Sequence, residues 1–158
     1  MKLNRTSCLL SLLGMLLAAG AQAAEANRVY DNNCALCHQR AGAGLAGQFP
    51  RLAGRAGEIA ATEAGRRYLV EVTLFGMAGK VEVDGASIIG VMPPFAVLSD
   101  ADLASALNYV IRLEGASKSK GKRARISEDD VKVVRAGQQL SPTQVRANRE
   151  AVLTASTK

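Results

Sequence analysis

The chain has 158 residues, 48% of them hydrophobic, with a formal charge of +6 at neutral pH and a single histidine. That length makes one domain with a little left over, and so mild a basic excess does not point to nucleic acid, whose partners concentrate a strong basic patch on one face. Lys2 and Arg5 lie in a segment that reads as a leader, and without them the +6 falls to +4.

That leader comes first. Met1-Lys2-Leu3-Asn4-Arg5 precedes an apolar run from Cys8 to Ala19, and Ala21-Gln22-Ala23 follows. Basic start, apolar middle and small-residue end are the three parts of a secretory signal peptide. A run of about a dozen apolar residues is shorter than the ~20 that cross a bilayer, and Cys8 stands too near Arg5 for a lipoprotein acylation site. Residues 1–23 are expected to be removed, leaving a periplasmic chain with no membrane span.

Ala26 to Asn33 reads as a short helix with Ala26 and Tyr30 on one face at i and i+4. It runs into Cys34-Ala35-Leu36-Cys37-His38. Two cysteines two residues apart, followed at once by histidine, form the attachment signal for a c-type haem. Each thiol adds across one vinyl group to give a thioether, and the adjacent imidazole is held under the iron as an axial ligand. Beyond the leader the chain has no other Cys or His, so a zinc site lacks its remaining ligands. A thioredoxin-like centre calls for a βαβ context and has no use for the trailing histidine. Without haem, the two thiols would form a disulfide in an oxidising compartment.

Gln39 to Pro50 holds three glycines and no helical period, a loop long enough to need a reason for existing. Wrapping the edge of a macrocycle supplies one, because backbone approaches closely only where side chains are small. A ligating histidine normally donates its second ring N–H to a carbonyl, and Pro50, twelve residues after His38, is the candidate acceptor. A proline that merely turns the chain is the other reading.

A helix is expected from about Thr62 to Phe75, with Tyr68, Leu69, Val72 and Phe75 on one face and Gly76 ending it. Lys80–Val83 and Ser87–Val91 flank Asp84-Gly85, a two-residue hairpin signal, with Met92 at the hairpin's end. Met92-Pro93-Pro94-Phe95 is the second anchor. A thioether is a soft, neutral ligand that favours ferrous iron, and two prolines stiffen the segment that carries it. Met92 is therefore the expected sixth ligand, while Met77, the other methionine beyond the leader, reads as core filler or a surface residue.

Ser99 or Asp100 caps a helix to about Leu113, with Leu103, Ala106, Leu107, Val110 and Ile111 as its apolar stripe and Tyr109 near the crossing with the first helix. Leu52, Leu69, Val72, Leu98 and Leu107 are the expected walls of the haem cavity. Residues 115–126, with five cationic side chains up to Arg125, read as a solvated basic linker. Residues 127–158 then form a helical extension, one helix opening at Ser127 and another at Ser141-Pro142. Helices this short do not fold alone and are expected to pack back on the domain at 24–114 or on a partner.

From about Ala26 to Leu113 these motifs resemble the class I, monohaem c-type cytochromes. The likeness rests on Tyr30, Cys34-Ala35-Leu36-Cys37-His38, Pro50-Arg51-Leu52-Ala53-Gly54, Met92-Pro93-Pro94-Phe95 and the helix ending at Leu113. It departs at Ala26, where the family usually has glycine. The resemblance implies an all-α fold, a small helical bundle around one haem c, with a minor β-hairpin before the methionine and a C-terminal helical extension. It implies that Cys34 and Cys37 bind haem, that His38 and Met92 ligate iron, and that the Pro50 carbonyl bonds the histidine. The stretch from Tyr68 through Val81-Glu82-Val83-Asp84-Gly85 to Phe95 is similar to cytochromes and cytochrome subunits serving periplasmic quinoprotein or molybdenum dehydrogenases. The implied role is a one-electron carrier rather than an enzyme. Its donor would be such a dehydrogenase, and its acceptor an oxidase or another cytochrome. Membership of a multisubunit dehydrogenase, or a sensor or enzyme with a labile sixth ligand, are the competing readings.

Overall fold

The computed structural model describes residues 28–113 and 125–155; the expected signal peptide, Ala26 and all but the end of the basic linker lie outside them. Residues 28–33 are helical (α1) and, after a turn at Cys34, Ala35–His38 forms α2. A glycine-rich loop leads to α3 (Arg55–Ile59) and α4 (Glu63–Phe75). The hairpin of β1 (Met77–Val83) and β2 (Ala86–Met92) follows, then α5 (Asp100–Arg112), α6 (Glu128–Ala136) and α7 (Pro142–Ala155). The fold is helical with one small antiparallel sheet. No helix among the described residues is long and apolar enough to cross a membrane.

Local chemistry explains the boundaries. Thr62 caps α4 by accepting from Gly65 N–H, Ser99 caps α5 from Asp102 N–H, and Ser127 with Asp130 forms a reciprocal capping box on α6, each satisfying amides a helix start leaves unpaired. Asp84 (φ 52°) and Gly85 (φ 78°) both take left-handed backbone, as a tight hairpin turn of the right twist requires. The pairing runs further than the sequence reading, back to Met77, which lies opposite Met92.

The main core is shared by four helices. Val70 and Leu74 of α4 and Leu103, Leu107 and Ile111 of α5 pack with Val131 and Val134 of α6 and Val145 of α7. A smaller cluster of Tyr30, Ala56 and Val110 joins α1 to α3 and α5, with the Tyr30 and Tyr109 rings 5.0 Å apart and tilted by 44°. The extension thus packs on its own chain. Ile126, read from sequence as the end of a solvated linker, is fully buried. Asn108 on α5 holds its backbone from both sides, donating to Ile126 O at 2.7 Å and accepting Ile126 N–H at 3.0 Å. Leu98 also differs from expectation. It packs against the main core, where its carbonyl receives Arg135 of α6 at 2.8 Å, and it does not line the cavity.

Candidate functional site

The site begins with the chain reversal after α2. His38 is buried, and its Nδ1 lies 2.9 Å from Pro50 O. Several bonds make that approach happen. Tyr30 Oη donates to Gln39 O at 2.7 Å, Gly44 N–H donates to His38 O at 2.8 Å, and the amides of Leu52 and Ala53 both reach Gly42 O. Gly44 has φ +70°, and a Cβ there would stand 2.6 Å from Arg51 N and 2.7 Å from Phe49 O. Only glycine allows the loop to fold tightly enough to bring Pro50 under the ring. Burial lowers the His38 pKa, with the Pro50 bond opposing it, so the ring stays neutral, as a metal ligand must. With Nδ1 engaged, Nε2 is the nitrogen left to bind.

Cys34 and Cys37 are free thiols on the same turn, with Cys37 N–H bonded to Cys34 O. Burial first, then the neighbouring Cys37, pushes the Cys34 thiol up to about 11. A disulfide-exchange centre needs the reverse, a thiolate stabilised by its surroundings. No group of three or more His, Cys, Asp or Glu side chains that could hold a metal ion occurs among the described residues.

These side chains open onto two adjoining cavities of about 120 and 350 Å³. Cys34, His38, Pro50, Met77, Val81 and Met92 line both, so the cavities are two parts of one slot. Together they reach the range of about 300–1,000 Å³ typical of small-molecule and cofactor sites. Leu52, Leu69, Val72 and Leu107 line the inner part as expected, joined by Ile59, Ala106 and Val110. A slot with apolar walls, two thiols at one edge, a neutral imidazole and a thioether fits a haem covalently held through its vinyl groups.

Met92 ends β2 and turns directly into Pro93-Pro94. Behind it, Phe95 N–H donates to Thr73 O on α4 at 2.8 Å, which pins the loop. Gly76 does more than end α4. It has φ +75°, and a Cβ there would meet Met92 O at 2.5 Å, Pro94 N at 3.1 Å and Pro93 C at 3.2 Å. Gly76→Ala is therefore expected to push the Met92 segment outward, costing roughly 1–3 kcal/mol of stability through backbone strain and overpacking. An unchanged denaturant midpoint in Gly76→Ala would show that the segment tolerates the shift. Met77 lines the same slot, but its Sδ accepts the Tyr68 hydroxyl at 3.6 Å.

The sequence reading missed the polar end of the slot. Arg51, Arg55 and Arg149 line the inner cavity beside Tyr68. Arg51 binds Asp84 through two contacts of 3.0 and 3.1 Å, and Arg55 reaches the same carboxylate at 3.4 Å, tying the hairpin turn to the segment after Pro50. Arg149 comes from α7, and no local motif marks it. Only three-dimensional packing brings it here.

The chain was compared with known proteins. A family profile described as "Cytochrome C oxidase, cbb3-type, subunit III" matches residues 21–110. A cytochrome c-552 of Thermus thermophilus is 43% identical over 143 residues, spanning 89% of this chain and 95% of that protein. A second Thermus thermophilus cytochrome c-552 is 44% identical over 128 residues, spanning 80% and 95%. The first overlap is long enough that it has to reach beyond α5 into α6.

Proposed function

Because the chain belongs to the c-type cytochromes and carries one covalently bound haem c, we propose that it is a periplasmic electron carrier in which Cys34 and Cys37 form the thioethers and His38 and Met92 ligate the iron. The observation that carries the reading is the placement of all four residues on one slot, with the His38 ring fixed by Pro50. When bound, the haem supplies a one-electron ferric/ferrous couple. The protein's part would be to present His38 and Met92 to the iron, exclude water with apolar walls, and keep those two side chains in place in both oxidation states. Tyr30, Gly44 and Pro50 do this on the histidine side. Gly76, Thr73 and the proline pair do it on the methionine side.

The donor is a periplasmic dehydrogenase, and the acceptor an oxidase or another cytochrome, met through a small, transient surface. The outer cavity supplies a candidate for that surface, since Ile89 and Val91 on its rim are 78% and 74% exposed. A free carrier suits the extension because Ile126, Val131, Val134 and Val145 spend their apolar surface on this chain's own core.

The test is potentiometric and optical, on protein matured in a haem-c-competent periplasm. A single one-electron wave, a low-spin spectrum indifferent to carbon monoxide, and rapid oxidation by a second c-type cytochrome are expected. A high-spin spectrum with ready carbon monoxide binding would replace the carrier with a sensor or enzyme. Ile89→Asp should slow exchange with the partner at least several-fold while leaving the potential and spectrum unchanged; an unaltered rate would move the docking surface elsewhere.

A further inference from the structure

We propose that Arg149 of α7, acting with Arg55, holds the haem propionates inside the slot, so that the C-terminal extension supplies part of the cofactor site. The proposal rests on the haem reading above. Arg149 is only 8% exposed and lines the inner cavity. Among the described residues, its one hydrogen bond goes from Nη2 to Glu82 O at 2.9 Å, and no carboxylate lies within ion-pair distance of it. Burial lowers its pKa, yet a guanidinium does not shed its proton in a protein. A buried charge is tolerated when an anion pairs with it, and this one has none from the described residues.

The nearby carboxylates are engaged elsewhere. Asp84 is held by Arg51 and Arg55, Glu82 by Lys80 at 3.2 Å, and Glu150 by Arg146 at 3.0 Å. Glu71 of α4 is taken by Arg67 at 2.9 Å and by Asn148 at 3.2 Å, and Glu58 of α3 acts on Arg51 without a direct ion pair. Among the described residues, the three guanidiniums lining the slot therefore have one directly paired carboxylate, Asp84, and Arg149 has none. Haem c brings two propionates. Tyr68 stands among these groups uncharged, its hydroxyl given to Met77 Sδ and raised to about 12 by burial. A planar guanidinium fork suits a carboxylate in two-point contact.

A propionate carboxylate stabilises ferric iron, so a cation paired with it favours the ferrous state and raises the reduction potential. The same pairing keeps the carboxylate ionised, whereas burial without it raises the carboxyl pKa. The test measures midpoint potential against pH for wild-type, Arg149→Gln and Arg149→Lys holoprotein, from about pH 5 to 8, above the ordinary carboxyl pKa of about 4.3. Over that window Tyr68 stays protonated, Arg51 stays charged, and Asp84 stays ionised because Arg51 lowers its pKa. Wild type should be flat. Arg149→Gln should lose roughly tenfold in the equilibrium constant of reduction at the alkaline end, the scale of one partly screened charge pair and equal to about 59 mV for one electron. Its potential should climb as pH falls, and Arg149→Lys should restore most of the wild-type profile. The His/Met spectrum, recorded on each sample, separates failure of the haem reading from failure of this one. An intact spectrum with an unchanged potential in Arg149→Gln, or a lysine variant as shifted as the glutamine one, overturns the proposal. Should Arg149→Gln not mature, a wild-type potential that itself falls with rising pH across this window would overturn it too, since paired propionates do not titrate there.

Discussion

Met92→Ala holoprotein should lose the sulfur-to-iron charge-transfer band, bind carbon monoxide when reduced, and show a potential lower by on the order of 0.1–0.3 V, within the ≈ 0.8 V over which axial ligands set haem potentials. A neutral thioether stabilises ferrous iron, and alanine leaves water or an exogenous ligand to fill the position. Met77 decides how specific this outcome is. It is the other thioether on the slot, directly opposite Met92 in the hairpin register. Its sulfur, however, is engaged by Tyr68, whereas Met92 sits on a segment fixed by Pro93, Pro94 and the Phe95–Thr73 bond. Met77→Leu should therefore keep the band and the low-spin spectrum. If the two variants exchange phenotypes, the ligand is Met77 and the prolines serve only to turn the chain.

What could be read in the sequence was local. Thr62, Ser99 and Ser127 cap their helices because short polar side chains satisfy orphan amides within three residues. Asp84-Gly85 sets the hairpin because both positions accept positive φ. Cys34-Ala35-Leu36-Cys37-His38 works the same way, since its chemistry lies within one helical turn. What escaped reading was set by distant partners. Ile126 follows a run of cations and looks solvated, but Asn108, eighteen residues earlier, satisfies both of its backbone groups and lets the side chain enter the core. Arg149 sits on a polar helix that buries little beside Val145, and its role comes from where α7 lands on α4 and β1. Gly76 was legible as a helix end, but its closeness to the Met92 backbone was not.

Removing the chain from residue 125 onward should abolish a stable native holoprotein. Ile126, Val131 and Val145 are completely buried and Val134 is 5% exposed. At about 1.5–3 kcal/mol for each buried aliphatic side chain, their loss totals roughly 6–12 kcal/mol, comparable with the ~5–15 kcal/mol that stabilises a whole domain. The deletion also removes the two bonds by which Asn108 holds the Ile126 backbone. The damage should reach the iron. Arg135 of α6 donates to the carbonyls of Ala96 and Leu98 at 2.7 and 2.8 Å, bracing the segment between Met92 and α5, and Arg149 holds the hairpin at Glu82. Even where the thioethers keep haem attached, the Met92 ligation band should fade and denaturant unfolding should lose its cooperativity. A truncated protein with a full-strength band and a wild-type unfolding midpoint would show that residues 28–113 form a complete folding unit and that α6 and α7 merely rest on it. Val145→Asp asks the same question with the chain length unchanged, because a carboxylate at a fully buried position of α7 must either unfold that helix or lift it from α4 and β1.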